Sequence, residues 1–174
     1  MAGDQQHRAK TRQFIDRVPG LPGHVSRART ITGVRTTVDL RWIGALTFET
    51  RLPKSALVLD SRGVEGPSPV DALAAALAGC MSVDVTDILL KGRHPLAGLK
   101  SHLVAERAES DPHRFVRVSL HFIVSGPVQG DAIDRAIALS RDKYCSVWHS
   151  MRQDIEFAVT WEAQEIADCG LRID

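Results

Sequence analysis

Residues 66–90 constrain the fold of this chain more than any other segment. They begin with helix-initiation signals: Ser68 is a favourable N-cap, Pro69 suits the first helical position, and Asp71 is placed for a capping box. Alanine and leucine, both strong helix formers, dominate the rest, and Gly92 is a natural stop. The pattern therefore predicts one long helix with a sharply defined start.

Apolar residues cover nearly every side of this predicted helix instead of one stripe. Such a helix is usually buried all round. In a chain of 174 residues, one sheet from the same subunit is not expected to cover it on every side. We therefore expect an obligate homodimer with the helix near the two-fold axis, and a helix sandwiched within a monomer is the alternative.

The remaining segments predict an α+β fold with antiparallel sheets, because strands connected as hairpins outnumber β-α-β units. The predicted strands are residues 34–41, 42–51, 56–60, 99–108, 115–125 and 155–161, with a hairpin turn near Gly44, and the shorter helices are 131–141 and 144–151. In 115–125, strict alternation assigns a core face to Val116, Val118, Leu120, Phe122 and Val124. In 131–141, the helical spacing of Ile133, Ala136, Ile137 and Ser140 predicts the packed face of an amphipathic helix. Residues 1–25 are polar, basic and broken by Pro and Gly, which predicts a flexible arm before a single domain over 26–174.

Composition excludes several classes of protein. A net charge of +1 with both signs interspersed is not the footprint of a nucleic-acid-binding protein, and no polybasic amphipathic helix suggests a membrane surface. The longest apolar run falls short of the ~20 residues of a bilayer span, and the first residues lack a secretory h-region. Three cysteines are an odd number for a secreted disulfide framework. We therefore expect a cytoplasmic protein with reduced thiols.

Cys80, in the middle of the long helix, is the first candidate for chemistry, although most buried helical cysteines are inert packing residues. Gly79 removes bulk beside the sulfur. Asp84 and Asp87 follow on the same helix face at i+4 and i+7, and acids are not expected in an apolar helix without partners. Acids close to the thiol would raise its pKa. A reactive thiolate would then need a cation, which Arg62 in the preceding loop can supply.

Cys145 is the second candidate, at the start of a predicted short helix and close to Lys143. A helix N-terminus and a lysine both stabilise a thiolate. Two cysteines in different elements, neither in a CxxC pair, favour a redox pair over a metal site. Cys145 and His149 share a helical face, but no second CxxC or HxxH completes a zinc set, so no metal is expected. Cys169, in the tail, is expected to be incidental.

Two motifs in this order resemble the OsmC/Ohr family, the osmotically inducible and organic hydroperoxide resistance proteins. They are GPSPVD with ALAGC over residues 66–80, and DKYCS over 142–146. The resemblance runs from about residue 34 to 161 and is stronger to the OsmC-like branch than to Ohr proper. It implies an intertwined homodimer with two sheets wrapped around paired central helices. It also implies reduction of hydroperoxides at two cysteines, without metal or organic cofactor, and a dithiol reductant.

Carried onto this chain, the resemblance makes Cys80 the peroxidatic thiol and Cys145 the resolving thiol. An apolar pocket formed by Leu77, Met81, Trp148 or a partner subunit would favour organic peroxides over hydrogen peroxide. Two alternatives use the same residues differently. One is a non-enzymatic redox sensor or apolar-ligand binder on the same scaffold. The other is a Cys/His-dependent hydrolase or acyl transferase, which needs a histidine within hydrogen-bond reach of a cysteine.

This sequence departs from the family pattern beside the first cysteine. Family peroxidases also use an arginine and a glutamate to hold the thiolate ready, and the glutamate commonly follows the proline of the helix start. Here Val70 occupies that position, and the acid, Asp71, comes one residue later. Arg62 is the first candidate for the arginine and Arg41 the second, while Glu65 can substitute as the acid.

Overall fold

The computed structural model describes residues 35–164, and the elements below lie within that range. In chain order they are β1 (Asp39–Gly44), β2 (Thr47–Leu52), β3 (Ser55–Asp60), α1 (Pro69–Lys91), β4 (Gly98–Arg107), β5 (Phe115–Ser125), α2 (Gly130–Leu139), a π-helical turn (Ser140–Tyr144), α3 (Ser146–His149) and β6 (Glu156–Gln164). The predicted arm of residues 1–25 and its boundary lie outside the described residues. The order and type of these elements confirm the predicted α+β class.

The strands form two three-stranded sheets, ordered β1-β2-β3 and β4-β5-β6. The first is an antiparallel meander, and β4 pairs antiparallel with β5. The pairing of β5 with β6 is parallel, so the expectation of purely antiparallel sheets is wrong there. Parallel neighbours need a long crossover, and the segment that carries α2 and α3 provides it.

The first hairpin turns where the sequence predicted, near Gly44, but its strands begin and end elsewhere. Trp42 was expected to open the second strand, and it lies instead in β1, opposite Phe48. Its indole N–H donates to the carbonyl of Ala45 across the turn (3.0 Å). Gly44 has φ 132°, a backbone conformation that favours glycine.

Helix α1 begins and ends as predicted. Ser68 is the N-cap, and its hydroxyl oxygen accepts the N–H of Asp71 (3.1 Å). The carboxylate of Asp71 accepts the Ser68 hydroxyl (2.7 Å), so the acid completes the cap by a different bond from that of a capping box. At the other end, the N–H of Gly92 caps the carbonyl of Ile88 (2.9 Å).

The core lies between α1, the β4-β5-β6 sheet and α2. Helix α1 buries one stripe, and the predicted core faces of β5 and α2 supply most of the rest. The buried side chains are Leu77, Met81, Val85 and Leu89 of α1, Val118, Leu120, Phe122 and Val124 of β5, and Ile133, Ala136 and Ile137 of α2. Val116 is only partly buried. The alternation in β5 and the helical spacing in α2 are thus confirmed at nearly every position.

Within the single chain, α1 is not buried on all sides, in line with the expectation that one sheet of the same subunit does not cover it. Leu73, Val83 and Leu90 on its other faces are exposed, Val83 to 68%. The first sheet also exposes large apolar side chains, including Trp42 at 65% and Leu40 at 57%. Large apolar side chains exposed in contiguous patches are typical of interaction sites. The homodimer remains a prediction that this exposed surface favours.

By length and composition alone, α1, with 23 residues, could cross a membrane. Asp71, Asp84 and Asp87 interrupt its apolar residues, so the longest uninterrupted apolar run is still shorter than the ~20 residues of a bilayer span. Core helices of soluble proteins pass the same test. Here α1 packs its buried stripe against β4 and α2, as a core helix does.

Candidate active site

The fold brings Cys80 and Cys145 together. Cys80 lies in the middle of α1, Asp84 lies one turn later, and Cys145 is the N-cap of α3. The two sulfurs and a carboxylate oxygen of Asp84 all lie within 4.8 Å of one another. Cys80 is partly exposed, whereas Cys145 is fully buried, with an exposure of 0%. One thiol of the pair can therefore be reached from outside and the other cannot.

Cys145 is held by the turn before it and the short helix after it. Its N–H donates to the carbonyl of Ser140 (2.8 Å), which closes the π-helical turn. Its sulfur accepts the N–H of Trp148 (3.4 Å), as predicted for a cysteine at a helix start. The Trp148 ring packs on Phe157 of β6 with the centroids 4.4 Å apart, which anchors α3 to the sheet.

A hydrogen bond from Ser140 explains how the acid Asp84 is tolerated in this apolar helix. The buried hydroxyl of Ser140 donates to its Oδ2 (2.8 Å), so α1 is joined to the turn that carries Cys145. Buried or partly buried polar groups normally have such partners. Asp87, predicted to share the Cys80 face, instead forms an exposed ion pair with Lys91 (2.7 Å). Of the two acids, only Asp84 belongs to the site.

Burial raises the pKa of the Cys145 thiol from 9.0 to about 11. The N–H groups of Trp148 and Val147 oppose this, while a hydrogen bond to Cys80 and the charge of a Cys80 thiolate add to it. The expectation that the helix start and Lys143 stabilise a thiolate here is wrong. The N–H groups act in the expected direction but are outweighed by burial, and the Lys143 ammonium lies 5.2 Å from the centre of the Tyr144 ring. At neutral pH Cys145 is a thiol that can donate to the Cys80 sulfur.

A groove of about 600 Å³ is lined by residues of α1 and by residues on either side of α3 and β5, and neither cysteine is among its lining residues. Its apolar lining is Val70, Leu73, Ala76, Phe115, Val147, Met151 and Ile155, and its basic lining is Arg107, His113, Arg114 and Arg152. Leu73 and Ala76 precede Cys80 by seven and four residues, so they share its helix face. Leu77, Met81 and Trp148, expected to form the pocket, are buried in the core instead. The basic groove residues were not singled out from the sequence, since β4, β5 and the loops bring them together.

Arg62 lies in the loop before α1, where its backbone N–H donates to Oδ1 of Asp60 (3.0 Å). Backbone N–H groups of Arg62, Glu65 and Val64 donate to Asp60 and hold its pKa below the ordinary value, and the bond from Arg62 has the largest effect. Arg41 pairs with Glu49 on β2 (2.8 Å). Over residues 35–164, neither arginine is hydrogen bonded to Cys80, so the role of Arg62 remains a prediction.

Histidines are not partners of the cysteines in the described part of the chain. His149 meets Cys145 only through the backbone, by donating its N–H to the Cys145 carbonyl (3.0 Å). His121 is bonded to Thr160 on the outer sheet face (2.8 Å). A Cys/His hydrolase needs an imidazole at the sulfur, and residues 35–164 place none within hydrogen-bond reach.

Comparisons with known proteins agree with this geometry. A model of the OsmC family, described as OsmC-like protein, matches residues 61–160, which is more than half of the chain. Protein YhfA of Escherichia coli K12 is 34% identical over 126 residues, which are 71% of this chain and 94% of that protein. A hypothetical protein from Aquifex aeolicus VF5 has a similar structure, with a TM-score of 0.72 and 25% identity over 76% of this chain and 98% of that one. An organic hydroperoxide resistance protein OsmC from Legionella pneumophila shares the fold, with a TM-score of 0.56 and 18% identity over 74% of this chain and 97% of that one.

Proposed function

Because the chain belongs to the OsmC-like protein family, we propose that it reduces organic hydroperoxides through Cys80 and Cys145. The observation that carries the proposal is the approach of the two sulfurs to within 4.8 Å, between elements distant in the sequence. A protein with the same fold is known as an organic hydroperoxide resistance protein. The proposed role is defence against oxidative stress.

The different environments of the two thiols support different roles for them. Cys80 is partly exposed and shares a helix face with the groove residues Leu73 and Ala76, so it can meet a peroxide. Cys145 is buried, and its raised pKa keeps it a neutral thiol near pH 7. Cys80 is therefore the attacking thiolate and Cys145 the thiol that resolves the product.

The reaction is balanced with a peroxide and a dithiol as the only co-reactants. The Cys80 thiolate attacks the O–O bond, which breaks, giving Cys80 sulfenic acid and an alkoxide that takes up a proton to become the alcohol. The Cys145 thiol then attacks the sulfenic sulfur, and water leaves as the disulfide forms. A dithiol reductant restores both thiols by exchange and becomes oxidised itself.

Disulfide formation needs only a local movement. An S–S bond is about 2.05 Å long, so the sulfurs must approach by at most about 2.8 Å. Cys80 is fixed within a long helix, whereas Cys145 lies between a π-helical turn and a four-residue helix. Side-chain rotation and a small shift of that short segment bring the sulfurs together.

The groove supports an organic substrate over hydrogen peroxide. Its apolar residues can take up an alkyl or aryl group, which hydrogen peroxide lacks, and such burial is worth roughly 25 cal/mol per Å². Groove residue Val147 follows the resolving cysteine by two positions. Binding there places the substrate beside the thiols.

The assembled form completes the proposal. A homodimer, with the exposed faces of α1 and the first sheet at its interface, covers side chains such as Val83 and Trp42 that one chain leaves exposed. In that assembly Arg62 supplies the cation near Cys80. The protein acts in the cytoplasm, where thiols stay reduced. The thiol chemistry requires no metal or organic cofactor.

The proposal is tested by following consumption of cumene hydroperoxide and of hydrogen peroxide by the full chain, with dithiothreitol as reductant. Cys80→Ser is expected to abolish the activity. Cys145→Ser is expected to leave a sulfenic acid on Cys80 that a dimedone-type reagent captures. Cys169→Ser, at a residue outside the described range, is the control and is expected to act as wild type. A wild-type rate in Cys80→Ser rules the proposal out.

The groove also favours one alternative, a non-enzymatic protein that binds an apolar ligand or senses oxidants on the same scaffold. Its basic residues and apolar lining suit a small amphipathic anion. Under this alternative the cysteines oxidise once and slowly, without turnover. Measuring peroxide consumed per protomer separates the two, since an enzyme consumes many equivalents.

A further inference from the structure

The two thiols and the nearby carboxylate also form a set of metal ligands that the sequence motifs do not reveal. We propose that the reduced chain binds one Zn²⁺ ion through the sulfurs of Cys80 and Cys145 and a carboxylate oxygen of Asp84. The sequence showed no second CxxC or HxxH to complete a zinc site. The fold supplies the third ligand instead, one helical turn after Cys80.

The geometry is close to that of a zinc site. With Zn–S bonds of about 2.3 Å and Zn–O bonds of about 2.0–2.2 Å, the ligand atoms of a tetrahedral ion lie roughly 3.4–3.8 Å apart. The three atoms here all lie within 4.8 Å of one another. Cys80 and Asp84 are at i and i+4 on one helix face, the spacing at which two helical side chains bind one ion. A contraction of about 1 Å by side-chain rotation completes the site.

Neighbouring groups already hold two of the ligands in place. Ser140 donates to Oδ2 of Asp84, which fixes the carboxylate against the turn that carries Cys145. The N–H of Trp148 donates to the Cys145 sulfur. Such outer hydrogen bonds orient metal ligands in proteins. Three protein ligands leave a fourth position, which water or a small anion takes in zinc sites of this kind.

Binding of zinc and formation of the disulfide exclude each other. Zinc binding takes both sulfurs as thiolates, releases the proton that Cys145 holds, forms two Zn–S bonds and moves no electrons, whereas the disulfide removes both sulfurs as thiolate ligands. Bound zinc is therefore present only when the cysteine pair is reduced, and it protects both sulfurs from oxidation. The binding site stands on geometry alone, and only the protection against peroxide rests on the proposed function.

The test is a zinc titration of the full chain, reduced and freed of metal, in competition with a chromophoric zinc chelator. One ion per protomer is expected for the reduced chain and none for the disulfide form. Asp84→Asn keeps the shape of the side chain but removes a charged ligand, so it is expected to weaken binding by at least the roughly ten- to a hundredfold that loss of a ligand's hydrogen-bond partner costs. Asp87→Asn, on the same helix but paired with Lys91 in solvent, is the matched control and is expected to bind as wild type. Co²⁺ in place of zinc is expected to give thiolate-to-metal charge-transfer absorption.

Two results overturn the site: Asp84→Asn binding as tightly as wild type, or a disulfide form that binds as well as the reduced form. The second comparison needs no variant, so it holds even if a substitution at buried Cys145 prevents folding. Failure of the metal site is separable from failure of the peroxidase. Disulfide formation in the metal-free chain tests only the peroxidase, and zinc stoichiometry in the reduced chain tests only the metal site.

Discussion

Replacing Ser140 with alanine is expected to destabilise the fold and slow oxidation of the cysteine pair. The Ser140 hydroxyl is fully buried and donates to the Asp84 carboxylate at 2.8 Å. The backbone carbonyl of Ser140 accepts the N–H of Cys145. The side chain thus links α1 to the turn that presents the resolving thiol. Alanine removes that link and leaves a partly buried carboxylate without its donor.

The expected loss of stability follows from the charge of the hydrogen-bond partner, the Asp84 carboxylate. A hydrogen bond to a charged group contributes about 1.5–3 kcal/mol to stability. For a chain of this size, each 1 kcal/mol corresponds to about 2–4 °C in Tm, so Ser140→Ala is expected to lower Tm by about 3–12 °C. Urea and thermal unfolding of the reduced chain measure it. Ser82→Ala is the control, because its hydroxyl bonds only neutral groups, the carbonyl of Ala78 and the hydroxyl of Ser101 on β4, and the change is expected to cost about 1 kcal/mol or less.

A double-mutant cycle with Asp84→Ala isolates the bond itself. If Ser140 acts through Asp84, the two substitutions are expected to be non-additive by about 1 kcal/mol or more. Additive effects, or a Ser140→Ala variant within about 0.5 kcal/mol of wild type, would refute the reasoning. The same variants, treated with peroxide, show whether the bond also sets the rate of disulfide formation.

Three further predictions concern pH, assembly and the supporting cation. Burial raises the pKa of Cys145 from 9.0 to about 11, so the folded chain holds that proton more tightly than the unfolded chain. The free energy of unfolding, measured by urea titration, should therefore fall between about pH 9 and pH 11. Cys145→Ser should make that decline smaller. Val83→Asp is expected to give monomers in light scattering, while the equally exposed loop variant Val64→Asp stays dimeric; a dimeric Val83→Asp contradicts the proposed interface. Arg62→Ala is expected to slow oxidation of the thiol pair by peroxide roughly tenfold or more, which corresponds to about 1.4 kcal/mol. Arg135→Ala, at an exposed arginine of α2, is the control and is expected to react as wild type. If Arg62→Ala and wild type react at equal rates in stopped flow, Arg62 is not part of the site.

Local signals were sufficient for most of the fold. The cap of α1 at Ser68, the alternation along β5 and the helical spacing of Ile133, Ala136 and Ile137 each depend on residues close in sequence, and the structure confirms them. The parallel pairing of β6 is different, because its direction is decided by the path of the chain through α2 and α3. Periodicity within a strand carries no information about its neighbour.

The site was predicted in its principal residues but not in its chemistry. The motifs singled out Cys80 and Cys145, and the structure brings both sulfurs together. The high pKa of Cys145 was missed, because a helix start predicts the opposite direction and burial depends on contacts made across the fold. Asp84 was noticed as an acid out of place, but its partner Ser140 was assigned only to packing. A polar residue at a core position of an amphipathic helix was the signal that could have identified it.

The most direct test of the central claim is to map the disulfide formed by peroxide. The reduced, metal-free chain is treated with one equivalent of cumene hydroperoxide, its free thiols are alkylated, and its peptides are identified by mass spectrometry. We predict a peptide pair linked through Cys80 and Cys145, with Cys169 alkylated and one peroxide consumed per disulfide. Recovery of Cys80 and Cys145 as alkylated thiols after the peroxide has been consumed, or a disulfide that joins either of them to Cys169, would contradict the account.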